Sequence, residues 1–412
     1  MREIIASIDI GSATLKLVVA EILNDRFNVL CALDEESRGV KKGVICEVEE
    51  TSYAIKRLLN KAEKMLGVKV PKAIISINED SADLKIGLGS VTITSEDKEI
   101  TNADIARVLK TSRQDQVPNG NEVVDIIPVY YKIDGNKTYA PLGHHGEKLE
   151  VKSVVMSVPK RDIYEIAKEL EHIDIEVIDI QLPTLSTYWA HKRESTDMTA
   201  GAIIDIGAET IKIGIINKGK MVNNLVITKG GSTVDADIAF IYKLSMEDAK
   251  KVKETFALAN KRNANDHLDI SMMNTLGEKV TINQKEVSEV VMSRLHELLN
   301  MAKNEINYLT KKEISYIIIS GGLTEIKDFQ LEIESVFGTN AQLGKINIVG
   351  VRDNKYASCV GMIKYFDNKL KSRDREFSIF NQDQLDLLNG KENRKGISGD
   401  SILGKVFGLF NK

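Results

Sequence analysis

Long apolar runs are absent from this sequence of 412 residues. Nowhere do 18 apolar residues follow one another, so no membrane-spanning helix is expected. Met1-Arg2-Glu3 leads straight into Ile4-Ile5, and nothing there resembles a signal peptide. Cysteine is equally scarce. Cys31, Cys46 and Cys359 are too few for a disulfide framework and too far apart for a metal-ligand set, so they read as small buried hydrophobes in a reducing cytoplasm. Charge of one sign is lacking too: 56 Lys and Arg against 60 Asp and Glu leave a net of −4, with no basic surplus to draw nucleic acid. There is no G-x-x-x-x-G-K-[ST] and no G-x-S-x-G, which removes P-loop enzymes and nucleophile-elbow hydrolases. His144-His145 has no acidic or cysteine partner at ligand spacing and reads as loop. What remains, 42% hydrophobic and 28% charged, is a globular chain able to bury a large core in two or more domains.

One pattern occurs twice. Ile4-Ile-Ala-Ser-Ile-Asp9-Ile-Gly11 is an apolar strand ending in an acid and a glycine, followed by Ser12-Ala13-Thr14 and a second strand from Leu15 to Glu21. Ala202-Ile-Ile-Asp205-Ile-Gly207 is followed in the same way by Ala208-Glu209-Thr210 and the strand from Ile211 to Asn217. Two related α/β domains, each opening with a β-hairpin, explain the repeat. A glycine after the acid lets backbone N–H groups approach a ligand, and with Ser12, Thr14 or Thr210 such a turn cradles phosphate oxygens. Asp9 and Asp205 repel phosphate, so a divalent cation, Mg²⁺ held partly through water, is expected between them. Each turn alone is weak evidence, since acid-glycine turns close many hairpins.

A third element is the β-branched strand Tyr316-Ile-Ile-Ile-Ser320 running into Gly321-Gly322-Leu323, with a helix expected from near Thr324. Paired glycines admit a flat ring or another backbone. Upstream, Met246 to Glu254 reads as a helix whose Lys250, Lys253 and Glu254 reach sugar hydroxyls or phosphate, unless it is merely a solvated charged face. Together these elements describe a nucleotide clamp between two domains.

The last residues carry a different message. At 100° per residue, Ile402, Leu403, Val406, Phe407, Leu409 and Phe410 fall within an arc of roughly 160°, with Lys405 on the polar remainder. So short a helix, weakened by two glycines, is marginal in water and folds when a surface accepts its apolar arc. Six such side chains offer about 9 kcal/mol gross, much of it offset by ordering, which gives weak, reversible membrane attachment that joined copies strengthen. The alternative is a terminal helix docked on its own domain.

The chain resembles the actin, Hsp70 and sugar-kinase superfamily, with Asp9 to Thr14 as phosphate loop 1, Asp205 to Thr210 as phosphate loop 2 and Ser320 to Leu323 as the adenosine motif. Connecting helices start near Gln181 and Tyr356 in that scheme. Asp125 to Gly135, Pro141 to Leu149 and Asp97 to Asp104 resemble the inserted subdomain of the bacterial cell-division FtsA family. The implied fold is α/β, an actin-like (ribonuclease H-like) duplicated two-domain architecture with an inserted small α/β subdomain.

The implied organisation is a first domain over 1–190 with the insertion at about 82–160, and a second over 191–368 whose part at about 230–310 binds FtsZ. A flexible linker over 369–399 and an amphipathic membrane helix over 400–412 follow. The resemblance implies an ATP-binding protein, with Mg²⁺, that polymerises on the cytoplasmic face of the membrane, anchors FtsZ filaments at the septum and meets other division proteins through its insertion. Arg294, Lys303 and Asn304 are candidates to meet the FtsZ peptide beside a core stripe of Val287, Val291, Leu295, Leu298 and Leu299. Two departures stand out. Ala208 and Glu209 replace glycines of the usual second loop, and Lys250 replaces an acid of the adenosine helix, for which Glu254 offers a substitute. Any ATP hydrolysis is expected to be slow. A small-molecule kinase of the same fold and a pilus-assembly adaptor are the alternatives; the kinase needs a substrate pocket with a catalytic acid, which nothing in 70–130 advertises, and gains nothing from the tail, while the adaptor typically ends without the terminal amphipathic helix.

Overall fold

A computed structural model describes residues 3–373 and 375–389. The expected membrane helix, and the expected linker past residue 389, lie outside them.

Two five-stranded sheets share one topology. The first runs Glu176–Gln181, Lys72–Ser76, Glu3–Ile10, Thr14–Leu23, Arg26–Glu36; the second runs Ala341–Leu343, Tyr316–Ser320, Ala200–Ile206, Ile211–Asn217, Lys220–Ile227. In each, a three-stranded antiparallel meander is extended by two parallel strands beside its first member. The sequence repeat is therefore a repeat of fold. The central strands are buried nearly throughout, as their mainly apolar composition requires.

Helices cover both faces of the sheets. α1 (Val48–Leu66) lies on the outer face of the first sheet. α2 (Asn102–Ser112) belongs to the insertion, and α3 (Lys160–His172) returns to that outer face. α4 (Pro183–His191) leads into the second domain, where α5 (Gly231–Tyr242), α6 (Met246–Thr255), α7 (Gln284–Leu309) and α8 (Phe329–Phe337) enclose the largest core. α9 (Ala357–Lys371) packs on the inner face of the first sheet and crosses α4. A Cβ on Gly361 would stand 1.6 Å from Ser186 O, so only glycine permits this crossing. The two connecting helices hold the domains face to face.

The insertion is a four-stranded antiparallel sheet, Asp83–Thr92, Lys148–Pro159, Asn121–Ile133, Asn136–Thr138, with α2 closing its own small core. Pro128 falls beside a register shift, where a missing N–H costs nothing.

Three expectations need correction. The linker does not begin at residue 369: α9 continues to Lys371, and Ile379, Phe380 and Leu385 are buried in the first domain's outer core, with Ile379 N–H bonded to Ile4 O at 2.8 Å. α10 (Gln382–Leu388) completes this strap, capped by Asn381. After Gly321-Gly322 comes a 3₁₀ turn, and the helix starts only at Phe329. Cys31 and Cys359 are buried, but Cys46 is exposed.

Candidate phosphate-binding cleft

Each hairpin sets its aspartate opposite a lysine. Asp9 pairs in register with Lys16, and Asp205 with Lys212, so acid and base leave the same face of their ribbon. Lys16 Nζ lies 3.3 Å from Asp9 Oδ2. Thr187 in the middle of α4 donates to Asp205 Oδ2 at 3.2 Å. A third carboxylate comes from the loop after Lys72–Ser76: Glu79 is 1% exposed and accepts from the N–H of Thr184 at 3.1 Å and from its hydroxyl. Glu79 O also accepts from Asn224 Nδ2 of the second domain at 3.3 Å. The groups thus meet where the domains meet.

Their electrostatics are mutual. Burial pushes the Asp9 carboxyl up, but Lys16, Lys212 and Ser76 outweigh it and hold it below the usual carboxylate range. Burial raises Asp205, which Lys212 only partly offsets and Asp9 reinforces. Burial likewise raises Glu79 against the pull of Lys212 and Thr184. For Lys212 burial works downward, yet Asp205, Glu79 and Asp9 together keep it above the ordinary lysine value.

Around this centre the loops are tied down. In loop 1, Ser12 Oγ accepts from Gly43 N–H at 2.8 Å, Ala13 O accepts from Ser37 N–H at 3.0 Å, and Gly11 packs against Thr14 O. In loop 2, Gly207 N–H bonds Thr210 O, while the carbonyls of Gly207 and Ala208 accept from Gly231 and Ser232 at the start of α5. Glu209 turns away from the acids and accepts from Lys42 N–H. The adenosine motif adjoins loop 2: at Gly321, φ is +100° and a Cβ would stand 2.4 Å from Asp205 Oδ1, so glycine is obligatory. Gly322 faces the Lys355 side chain, which with Tyr356 hydroxyl binds Asp34 of the first domain at 2.9 and 2.8 Å.

The adenosine helix is less simple than expected. Lys253 is buried, its ammonium 2.7 Å from Asp235 Oδ1 and 3.3 Å from Gly231 O, beside Leu323 across Gly231. Lys250 is half-buried and Glu254 exposed on the same helix. Of the FtsZ candidates, Arg294 binds Asp237 of α5 through two hydrogen bonds of 2.6 and 2.8 Å. Lys303 instead donates to Val336 O of α8 at 2.6 Å, and Asn304 is exposed. They do not converge. Next to Arg294 the open surface presents Phe240, 86% exposed, and Ile241. The expected core stripe of α7 is buried.

The donor set does not fit a dication caged by protein. Among the described residues no group of three or more His, Cys, Asp or Glu stands at metal-holding spacing. Lys16 already stands 3.3 Å from Asp9, and Lys212 faces Asp205 across its ribbon. Sequence reasoning missed Lys16, Lys212 and Glu79. The signal for the lysines was present, since each follows its aspartate by seven positions, 9 to 16 and 205 to 212.

Fold and cleft together define a two-domain actin-like protein. Solved structures of this class align along most of the chain: MreB5 of Spiroplasma citri bound to ADP at a TM-score of 0.56, 13% identity, covering 90% of this chain and 98% of that one. The PilM–PilN type IV pilus biogenesis complex aligns at 0.59 and 14% identity, covering 87% and 97%. The chain belongs to the FtsA family: the family model for cell division protein FtsA matches residues 202–361, and that for the SHS2 domain inserted in FtsA matches 83–157, together more than half of the sequence. The FtsA of Bacillus subtilis is 27% identical over 92% of this chain and 87% of its own length. That of Borreliella burgdorferi is 26% identical over 100% and 99%.

Proposed function

We propose that this protein is a nucleotide-dependent scaffold of cell division that polymerises in an actin-like manner on the cytoplasmic face of the membrane and anchors FtsZ filaments at the septum. The observation that carries the reading is the meeting of two Asp–Lys hairpins and the Gly321-Gly322 turn at one domain junction. ATP bound there touches both halves, so its affinity is greatest for the closed arrangement, and binding selects the polymer-competent shape. Mg²⁺, where it accompanies ATP, screens the phosphates. Lys16 and Lys212 face phosphate oxygens, Gly321 and Gly322 leave room for the adenine, and Lys250 with Glu254 edges the ribose. Hydrolysis is at most slow, because Glu79 is bonded to Thr184 and Glu209 to the backbone of Lys42, leaving neither free to orient water.

FtsZ attaches through its acidic, partly apolar tail on the 230–310 region, where Phe240 and Ile241 supply apolar contact beside Arg294. Attachment to lipid rests on residues 400–412. No helix among the described residues is long and apolar enough to cross a membrane.

Co-sedimentation with vesicles of anionic lipid tests the whole reading, comparing the full chain with residues 1–398, with and without ATP and an FtsZ tail peptide. Full-length protein should pellet with vesicles, recruit the peptide and bind better with ATP, while the truncation stays in solution. Equal pelleting of both forms removes the tether, and indifference to ATP removes the nucleotide clamp.

A further inference from the structure

We propose that Lys212 is a resident cation of the phosphate site which, together with Lys16, lets the two loops hold a nucleoside polyphosphate without a divalent metal ion. The inference rests on the nucleotide reading above and goes beyond it, because it assigns the neutralising charge to the chain itself. The geometry is that of the two hairpins. Register sets Lys212 directly across from Asp205, as it sets Lys16 across from Asp9, where the ammonium is 3.3 Å from the carboxylate. Directly paired residues on one face of an antiparallel ribbon have their Cβ atoms about 5 Å apart, so Lys212 and Asp205 project from neighbouring positions of one face.

The charge count points the same way. Lys16 and Lys212 bring to the junction of Asp9, Glu79 and Asp205 two ammonium groups, together the charge of one divalent cation. Glu79 cannot swing away to receive a metal, because Thr184 binds it through backbone and hydroxyl. Nor is Asp205 free: Thr187 donates to one oxygen, and the backbone of Gly321 closes on the other. Lys212 interacts with all three acids, which hold it protonated throughout the physiological range. A dication entering beside it meets repulsion, whereas a phosphate oxygen meets attraction from two ammonium groups on opposite domains.

Isothermal calorimetry of the full chain with ATP, in EDTA and in excess MgCl₂, tests this. The expected dissociation constants in the two buffers agree within about threefold, a difference below 1 kcal/mol. In Lys212→Ala, binding in EDTA should weaken by about tenfold or more and recover largely in MgCl₂, while Lys212→Arg keeps the metal independence. If the wild type loses tenfold or more in EDTA, the inference falls while the nucleotide reading stands. If ATP binds in neither buffer, both fall. The wild-type comparison decides even where Lys212→Ala does not fold.

Discussion

Lys42 donates its backbone N–H to Glu209 Oε2 at 2.6 Å, joining residues 167 positions apart and tying the tip of a first-domain hairpin to phosphate loop 2. The tip is a two-residue turn with both Lys42 and Gly43 at positive φ, and Gly43 bonds Ser12 of loop 1. One turn therefore bridges both loops. Glu209, which the sequence makes a source of repulsion near phosphate, is instead directed at an N–H. Glu209→Ala should raise amide exchange at Lys42 and Gly43 while lowering global stability by no more than about 1 kcal/mol, because the contact is solvent-exposed. Hydrogen-exchange mass spectrometry reads this directly. Unchanged exchange across 40–45 would show that the hairpin is held by other contacts.

Lys253 and Asp235 form an ion pair in which each side chain is under 10% exposed. Removing one partner strands the other, so Lys253→Met should cost about 3–5 kcal/mol, and Lys253→Met combined with Asp235→Leu considerably less. Urea unfolding of the three proteins measures it. A double variant as unstable as the sum of the singles would show that the two residues do not interact.

The acids of the cleft predict opposite pH responses. Asp9 is held below its unfolded value, so its contribution is present above about pH 4 and disappears as pH falls through the lowered folded value. Asp9→Asn should therefore flatten the acid limb of the stability curve. Glu79 is raised, so its protonated form favours the fold, and that advantage is lost as pH climbs through the raised value. Glu79→Gln keeps the shape without the charge, and its stability relative to wild type should increase between pH 4 and pH 8. Denaturant titrations at several pH values decide, and a pH-independent difference would contradict the assignment.

The duplicated acid-glycine turns were legible because each ends a mainly apolar strand, a pattern that survives without tertiary information. Lys16 and Lys212 were hidden by that same pattern: a lysine alternating with apolar residues reads as the wet face of a strand. Only the ribbon's register, set by the two turns, shows that this face is the domain junction. Glu79 gave no signal at all, since its partner Thr184 lies 105 residues away. Arg294 and Lys303 differ by nine helical positions, about 180° around the axis, so their divergence toward α5 and α8 follows from helix geometry alone.

The strap was missed for a related reason. Phe377, Ile379 and Phe380 follow no helical period, only Leu385 and Leu388 stand at helical spacing, and the burial of all five depends on a core already built by α1, α3 and the first sheet. Local composition therefore resembles a tether. Phe380 is 4% exposed and Ile379 2%, so Phe380→Ala should cost about 3–5 kcal/mol, a loss confined to the first domain. A chain ending at residue 389 should melt with the full-length protein, whereas one ending at 376 should melt several degrees lower and expose Leu170 and Ile175 of the outer core to solvent. Differential scanning calorimetry with a fluorescent apolar probe measures both effects. Equal melting of the two truncations would mean that residues 377–389 are tether after all.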